Sequence, residues 1–541
     1  MDPLISWNSL TLIISTFVLA ICIYLFLTSK FNYWKDRNVP FVEPIPFFGN
    51  MKDLFLNKKS LSQVYDDLYI KLKGHKFGGY YEMRSPGMLV RDSKLVEKVL
   101  IKDFLYFYDR WFVADAEVEP LSMNLFNMSG DEWKNLRYKI TPTFSTGKLK
   151  GMFDQICNCG GSVIENIEKT PEGDFDNVQL IGRFTLDVIA SCAFGLQLTS
   201  ENELVKNFRA VVTDVISPTG LAFFKQIFGT AFPKVAKKLG IKLVPTKVST
   251  IIMDIVKDAV EYRFSNKVDR NDFLQLLLNL RKQGENKIED NVGDLDYYPE
   301  DDVINQMEYA AVEKESTNED NQRPINEVVL TDGIIAAQMF VFLVGGTESV
   351  TSTVGFCLYC LAQNPQIQDK VQQEINSTIE KNNNEWNYSV IKQLTYLDQV
   401  LQETLRLYPV VPLLFRKCTR SYKIPDSDVI LEEGIRVVIP VLSIHHDAEN
   451  YESPQEFNPD RFINNNFKPN GSYLPFGDGP RMCIAMRFAV LEMKVLLAKI
   501  LLHYNVKLSN KMQTPLKFQS NGFFLLPIGG LWFKFEKRDK N

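Results

Sequence analysis

The run Phe476-Gly-Asp-Gly-Pro-Arg481-Met-Cys483-Ile-Ala485 sets one cysteine between a glycine-containing turn and an apolar segment of helical spacing, Ile484 to about His503. A thiol at a helix N-terminus meets unpaired backbone N–H groups and the positive end of the helix dipole, and both favour its thiolate. A thiolate held in this way can serve as an axial ligand to haem iron and push electron density onto the metal. Arg481, two residues before the sulfur, is placed to pair with an acidic group at the edge of a flat cofactor. An isolated cysteine of this kind is more often a buried structural one. The surrounding motifs decide against that reading.

Glu403-Thr-Leu-Arg406 ends a helical segment just before Pro409, and its i, i+3 spacing puts carboxylate and guanidinium on one face. Phe457-Asn-Pro-Asp-Arg461-Phe462 supplies a further arginine between that pair and Cys483. Trp133 and Arg137 stand four apart in Asp131–Arg137, where an indole N–H and a guanidinium sharing one face make a carboxylate clamp. A long apolar stretch contains Gly345-Gly346-Thr347-Glu348-Ser349-Val350. Paired glycines weaken a helix, and there they allow close approach of a ligand, or local opening of the helix, or a helix crossing. Glu348 and Ser349 are then the candidates for carrying protons into a dry pocket.

The elements that must position these residues are mainly helical. Helical spacing marks Asp131–Lys139, Phe184–Phe194, Val248–Phe264, Asn271–Gln283, Glu327–Ala362, Pro365–Glu380, Thr395–Tyr408 and Ile484–His503. Strand-like alternation marks Gly79–Arg91, Ser421–Ile439 and Phe523–Phe535. The fold class is therefore mostly α (α+β), a helical body with a small sheet portion. The 38 phenylalanines suit a roomy apolar pocket. Eight cysteines are scattered without the spacing of a disulfide scaffold, and the pairs Cys157/Cys159 and Cys357/Cys360 have no matching Cys or His pair for zinc.

Residues 10–27 carry no charge, with Trp7 at one edge, Tyr33 and Trp34 at the other, and Lys30, Lys35 and Arg37 following. This reads as an uncleaved transmembrane anchor (1–29) in a lipid bilayer, its basic flank leaving the body in the cytoplasm. Pro40, Pro44 and Pro46 then form a semi-rigid linker (30–50), a strut to the domain at 51–541. Within that domain, 285–323 holds thirteen acidic and three basic residues, read as a surface loop with one short helix near Ile304–Val312. The whole chain sums to −5, so everything outside the loop is mildly basic, which suits a membrane surface or an acidic protein partner. No nucleic-acid partner is expected.

In their order, these motifs resemble the cytochrome P450 family of haem-thiolate monooxygenases, from the anchor to the end of the chain. Thr141–Lys148, Ala336–Phe342 and Ile444–Asp447 resemble its insect microsomal detoxification members. The resemblance implies the family fold, with Cys483 as proximal ligand of a haem b iron and Phe476 packed beside it. It gives Trp133, Arg137, Arg481 and Arg416, with Arg110 as a weaker candidate, the haem propionates. Glu403, Arg406 and Arg461 become a buried charge socket bracing the cysteine loop, and Glu348 with Ser349 lines the oxygen-activation groove. His445 and His446 fall in an irregular connection and bind no metal.

The reaction so implied inserts one atom of O2 into a lipophilic substrate, a xenobiotic or an endogenous lipid or hormone. Electrons come from NADPH through a membrane-bound flavoprotein reductase, and the endoplasmic reticulum membrane is the expected location. Substrate walls are expected at Trp111–Met128, the middle of the long helix, Val410–Phe415 and Phe523–Phe524. Three departures from the family pattern stand out: Ala485 in place of glycine, Ser349 in place of threonine, and Val350 where a second hydroxyl is common. They keep two other functions open, a haem isomerase or dehydratase without O2 activation and a haem-binding protein with degraded catalysis.

Overall fold

A computed structural model of the protein describes residues 7–111, 115–170, 172–196, 203–216, 218, 220–231, 233–285, 328–465, 471–520 and 522–538. Nearly all of the acidic stretch, and the short helix expected at 304–312, lie outside the described residues. The chain opens with α1 (Trp7–Thr28), whose residues Thr11–Thr28 contribute nothing to the protein interior. An apolar helix of eighteen residues is long enough to cross a thin bilayer. Its last turn meets the body, where the Arg84 guanidinium lies 3.9 Å over the Phe26 ring.

The proline-rich linker is not a free strut. Trp34 is fully buried, the Tyr81 hydroxyl donates to the Phe31 carbonyl at 2.8 Å, and Gly79 N–H donates to the Pro40 carbonyl at 2.8 Å. Prolines lack an N–H but keep their carbonyls, so this segment covers the edge of a sheet instead of standing away from it. That edge is β1 (Phe77–Glu82), paired antiparallel with β2 (Ser85–Val90), so the strand-like Gly79–Arg91 is the larger part of a hairpin.

The helical elements follow in order. They are α2 (Gly130–Ile140), α3 (Thr146–Glu168), α4 (Asn177–Ile189, continuing as a π-helical turn, Ala190–Phe194), α5 (Glu203–Ile216) and α6 (Gly220–Ala231). Then come α7 (Thr246–Asn266), α8 (Asp332–Gln363) and α9 (Thr395–Leu407). The Thr331 side chain caps α8 by accepting from the Ile334 N–H. At 32 residues α8 spans about 48 Å. It runs through the helical core against α4, α7 and α9, apolar on nearly all sides as a central helix must be.

Beyond α9, β3 (Leu414–Lys417) and β4 (Arg436–Ile439) complete the first sheet in the order β1-β2-β4-β3. Gly87 faces Arg436 in the parallel pair, and Arg416 faces Val437 in the antiparallel one. This sheet has its own apolar core, separate from the helical one. Last come α10 (Met486–His503), β5 (Tyr504–Leu508) and β6 (Trp532–Lys537), the two strands antiparallel. The expected strand at Phe523–Phe535 forms only from Trp532. Before it, Leu525 N–H donates to the Val410 carbonyl at 2.9 Å and pins a turn beside β3.

Candidate active site

Cys483 lies three residues before α10 begins, not in its first turn, because Ile484 and Ala485 are spent on the turn into the helix. Its N–H donates to the Phe476 carbonyl at 2.9 Å, closing the loop on itself, and Gly477 N–H donates to the Leu474 carbonyl at 3.0 Å. Gly479 has φ +67°, and a side chain there would collide with the Leu100 carbonyl, so only glycine allows the loop to pass. The outcome is a thiol in no disulfide, exposed on the wall of a cavity of about 500 Å3 that Phe476 also lines. Ala485, φ −95° and ψ 15°, has an ordinary right-handed backbone, so alanine costs no strain where glycine was expected. Its methyl lines the cavity.

Behind the loop the predicted charge socket is complete. Arg406 Nε and Nη2 donate to the two Glu403 oxygens at 2.7 and 2.8 Å, with both side chains fully buried. Arg406 also donates to the carbonyls of His445, Pro454 and Glu456 at 2.9, 2.8 and 3.1 Å. Arg461 Nε and Asn458 N–H add 3.3 and 2.9 Å contacts to Glu403 Oε1. His445 sits in a short helix, Val441–His445, not in an irregular connection. Leu474 N–H donates to its Nε2 at 2.8 Å, so Nδ1 carries the proton and donates to the Arg406 carbonyl at 3.1 Å. Burial, helped by neighbouring His446, lowers His445 to about 3, keeping it neutral. This imidazole ties the socket to the cysteine loop, a link that sequence reasoning missed.

Arg110, Trp133, Arg137 and Arg481 all line the cavity on the far side of the loop. Arg137 donates to the Met482 carbonyl at 2.9 Å, and Arg110 to the carbonyls of Phe126 and Arg481 at 2.9 and 3.1 Å. Arg481 lies 3.8 Å over the Trp133 ring and donates to the carbonyls of Tyr108, Leu125 and Met128. Burial lowers Arg481 to about 7, with Arg110, Arg416 and Arg137 pushing the same way. Asp109 is the one carboxylate that offsets this, at 3.9 Å. A guanidinium does not give up its proton in a protein, so this cluster of like charges favours an anionic ligand. Arg416 is the exception to the expected set. It is buried on β3 behind the cavity wall, donating to the Phe415 carbonyl at 2.9 Å while its Nε has no partner. It acts on the site through its charge.

Along α8 the two glycines divide the roles proposed for them. Both line the cavity, but a Cβ on Gly346 would meet Ile189 at 2.6 Å, so it serves the crossing with α4, whereas Gly345 has open space beside it. The helix stays continuous through both. The Ser349 hydroxyl lines the cavity and donates to the Gly345 carbonyl at 2.5 Å. Glu348 is not on the cavity wall. It accepts from Ser352 Oγ at 3.0 Å, and burial raises it to about 7. The remaining wall is apolar, with Leu121, Leu125, Phe340, Val410, Leu414 and Phe523 from the expected segments. α5 and α6 add Ile216 and Ala222, which no motif had marked.

An exposed thiol, a cationic rim and an apolar space between them fit a flat, dianionic, metal-holding ligand. The sequence profile described as Cytochrome P450 matches residues 39–296 and 300–535. The chain belongs to the cytochrome P450 family. It is 36% identical over 518 residues to "Probable cytochrome P450 6a14" of Drosophila melanogaster, covering 94% of this chain and 96% of that one. It is 34% identical over 521 residues to "Cytochrome P450 6B7" of Helicoverpa armigera (95% and 96%), and 33% over 531 residues to "Cytochrome P450 6j1" of Blattella germanica (97% of each). As a cytochrome P450 the protein is a haem monooxygenase of O2 and small organic molecules. The residues present fit haem: Cys483 for the iron, and Arg110, Arg137 and Arg481 for the acidic edge.

Proposed function

We propose that this protein oxygenates lipophilic small molecules at the cytoplasmic surface of the endoplasmic reticulum. NADPH supplies its electrons through a membrane-bound flavoprotein reductase, and α1 is its anchor. The observation that carries this reading is the exposed thiol of Cys483, which opens on a largely apolar cavity lined also by the guanidiniums of Arg110, Arg137 and Arg481. Bound there, haem supplies the oxygen chemistry, its thiolate ligand favouring O–O cleavage.

The chain's own residues do the rest. Arg110, Arg137 and Arg481 hold the cofactor's carboxylates, Trp133 stacks under Arg481, and Arg416 deepens the positive potential from behind. Phe476 and the socket fix the sulfur. The apolar wall selects an apolar substrate and excludes bulk water. Glu348, poised near neutrality, exchanges protons through Ser352, and Ser349 presents a hydroxyl oxygen to the cavity.

The test is the absorption spectrum of the reduced, CO-bound protein, which reports a thiolate on haem iron. Wild type should show that band and Cys483→Ser should lose it while remaining folded. A band that persists in the variant assigns the ligand to another cysteine. NADPH-dependent product formation with reductase in bilayers then decides between oxygenation and a rearrangement that needs no electrons.

A further inference from the structure

One buried carboxylate on the cavity wall belongs to neither the cationic rim nor the charge socket. Glu119 is 8% exposed and lines the cavity, within the segment where the sequence places a substrate wall. Its backbone N–H donates to the Asp115 carbonyl at 2.9 Å, closing a turn over residues 115–119. Its Oε1 accepts from the Val244 N–H, and the Leu243 N–H also favours its charged form. These bonds tie the turn to the segment that leads into α7.

Holding that turn does not require a charge. A glutamine oxygen accepts the same N–H, while burial works against a carboxylate and raises Glu119 above its ordinary range. Among the described residues Glu119 has no ion pair, and Lys242, the one charged group acting on it, is exposed to solvent. Lys237, in the short helix Pro233–Lys238, is committed to Asp115 at 2.5 Å.

The rim arginines do not compensate Glu119 either. None of Arg110, Arg137, Arg416 and Arg481 acts on its titration, although they act on one another. The cavity therefore has a positive region beside Cys483 and a separate negative point at Glu119. An acidic cofactor edge that satisfies the rim leaves Glu119 without a counter-charge. The wall that Glu119 shares is otherwise largely apolar, with Leu121, Val215, Ile216, Ala222 and Leu243. Asp214 on α5, also on that wall and exposed, adds negative charge and no cation.

We propose that Glu119 is a specificity-determining residue that takes the ammonium group of a lipophilic amine, whose hydrocarbon body fills the apolar cavity. Resting on the monooxygenase reading, this narrows the substrate class from apolar molecules in general to those carrying a basic nitrogen. The ammonium N–H donates to the carboxylate, a charge-assisted bond in a place with little competing water. An uncharged analogue gains the same burial without that bond. An anionic one meets a like charge.

Equilibrium dialysis of the full-length, haem-loaded protein, without NADPH or reductase, tests this with dodecylamine, 1-dodecanol and dodecanoate. Dodecylamine should bind about tenfold more tightly than the alcohol, with dodecanoate the weakest of the three. Dodecylamine binding no tighter than the alcohol, or dodecanoate binding tightest, overturns the proposal. Glu119→Gln keeps the acceptor for Val244 and should weaken the amine about tenfold while leaving the alcohol unchanged. A variant that weakens both alike makes Glu119 a brace for the turn and overturns its role in selection. A haem spectrum of nitrogen ligation, with amine affinity unmoved by Glu119→Gln, overturns it as well. The wild-type series needs no variant, so a glutamine protein that fails to fold leaves the test intact. Binding needs no turnover either: amine selection without any oxygenated product would sink the monooxygenase reading alone, and product formed from a protein indifferent to charge would sink this proposal alone.

Discussion

Two polar regions flank the cysteine loop, and they are built on opposite terms. Behind it, Glu403, Arg406 and His445 are buried with Arg461 half-buried beside them, each oxygen and nitrogen of the Glu403–Arg406 pair facing a partner at 2.7–3.3 Å. In front of it, Arg110, Arg137 and Arg481 crowd one another, with Asp109 at 3.9 Å as the one nearby carboxylate. A complete buried network fixes geometry and asks for nothing more. An incomplete one of single sign is strained until a ligand arrives. Neither burial nor hydrogen bonding separates the two regions, since both sets of guanidiniums donate to carbonyls; the balance of charge does.

The sharpest way to break this contrast is Glu403→Ala. It leaves the Arg406 guanidinium buried without its counter-charge, a loss of about 3–5 kcal/mol. Expression should yield little folded, haem-loaded protein, read as a fall in melting temperature and in the CO-bound band. Arg110→Leu tests the other region and should act in two directions. With one like charge gone, haem-free protein should melt no lower than wild type, because mutual repulsion falls. Haem release to a competing apo-globin should speed about tenfold, about 1.4 kcal/mol of lost binding. A variant that loses stability with and without haem would place Arg110 in the frame and dissolve the distinction.

How far the sequence carried the reading differs along the same line. The cysteine loop, the Glu403–Arg406 pair and the helices α2, α8, α9 and α10 are legible because each rests on local spacing. Arg416 was expected on the rim, yet it is fully buried on β3 and is not among the residues that line the cavity. That burial depends on how the sheet packs after folding, which no local pattern carries. The same holds for the linker, whose docking on β1 depends on a hairpin read as one strand. His445 escaped notice for another reason. Its significance lies in the partners it gains after folding, Leu474 and Arg406.

Glu348 belongs to neither region, being half-buried, bonded to Ser352 and raised to about 7 from its ordinary 4.5 by desolvation. Between those values the folded protein holds a proton that the unfolded chain has lost. Its contribution to folding is therefore full below about 4.5 and disappears as pH rises through 7. Melting temperature followed from pH 4.5 to 8 should fall more steeply in wild type than in Glu348→Gln. Parallel curves would mean that the carboxyl is solvated and cannot be the groove's proton carrier.

The smallest effects sharpen the contrast within one helix. Gly346→Ala must displace the end of Ile189, met at 2.6 Å, and should cost about 1 kcal/mol, because that side chain can rotate aside at some expense in packing. Gly345→Ala meets nothing and replaces a poor helix former, so stability should rise by up to about 1 kcal/mol. Its methyl, however, enters the cavity and should alter the ligand-induced spectral shift for bulky apolar compounds. Opposite signs for adjacent, chemically identical substitutions are hard to obtain from helix propensity alone. Equal signs would mean that both glycines serve the α4 crossing, and that the cavity makes no demand of its own on this turn of α8.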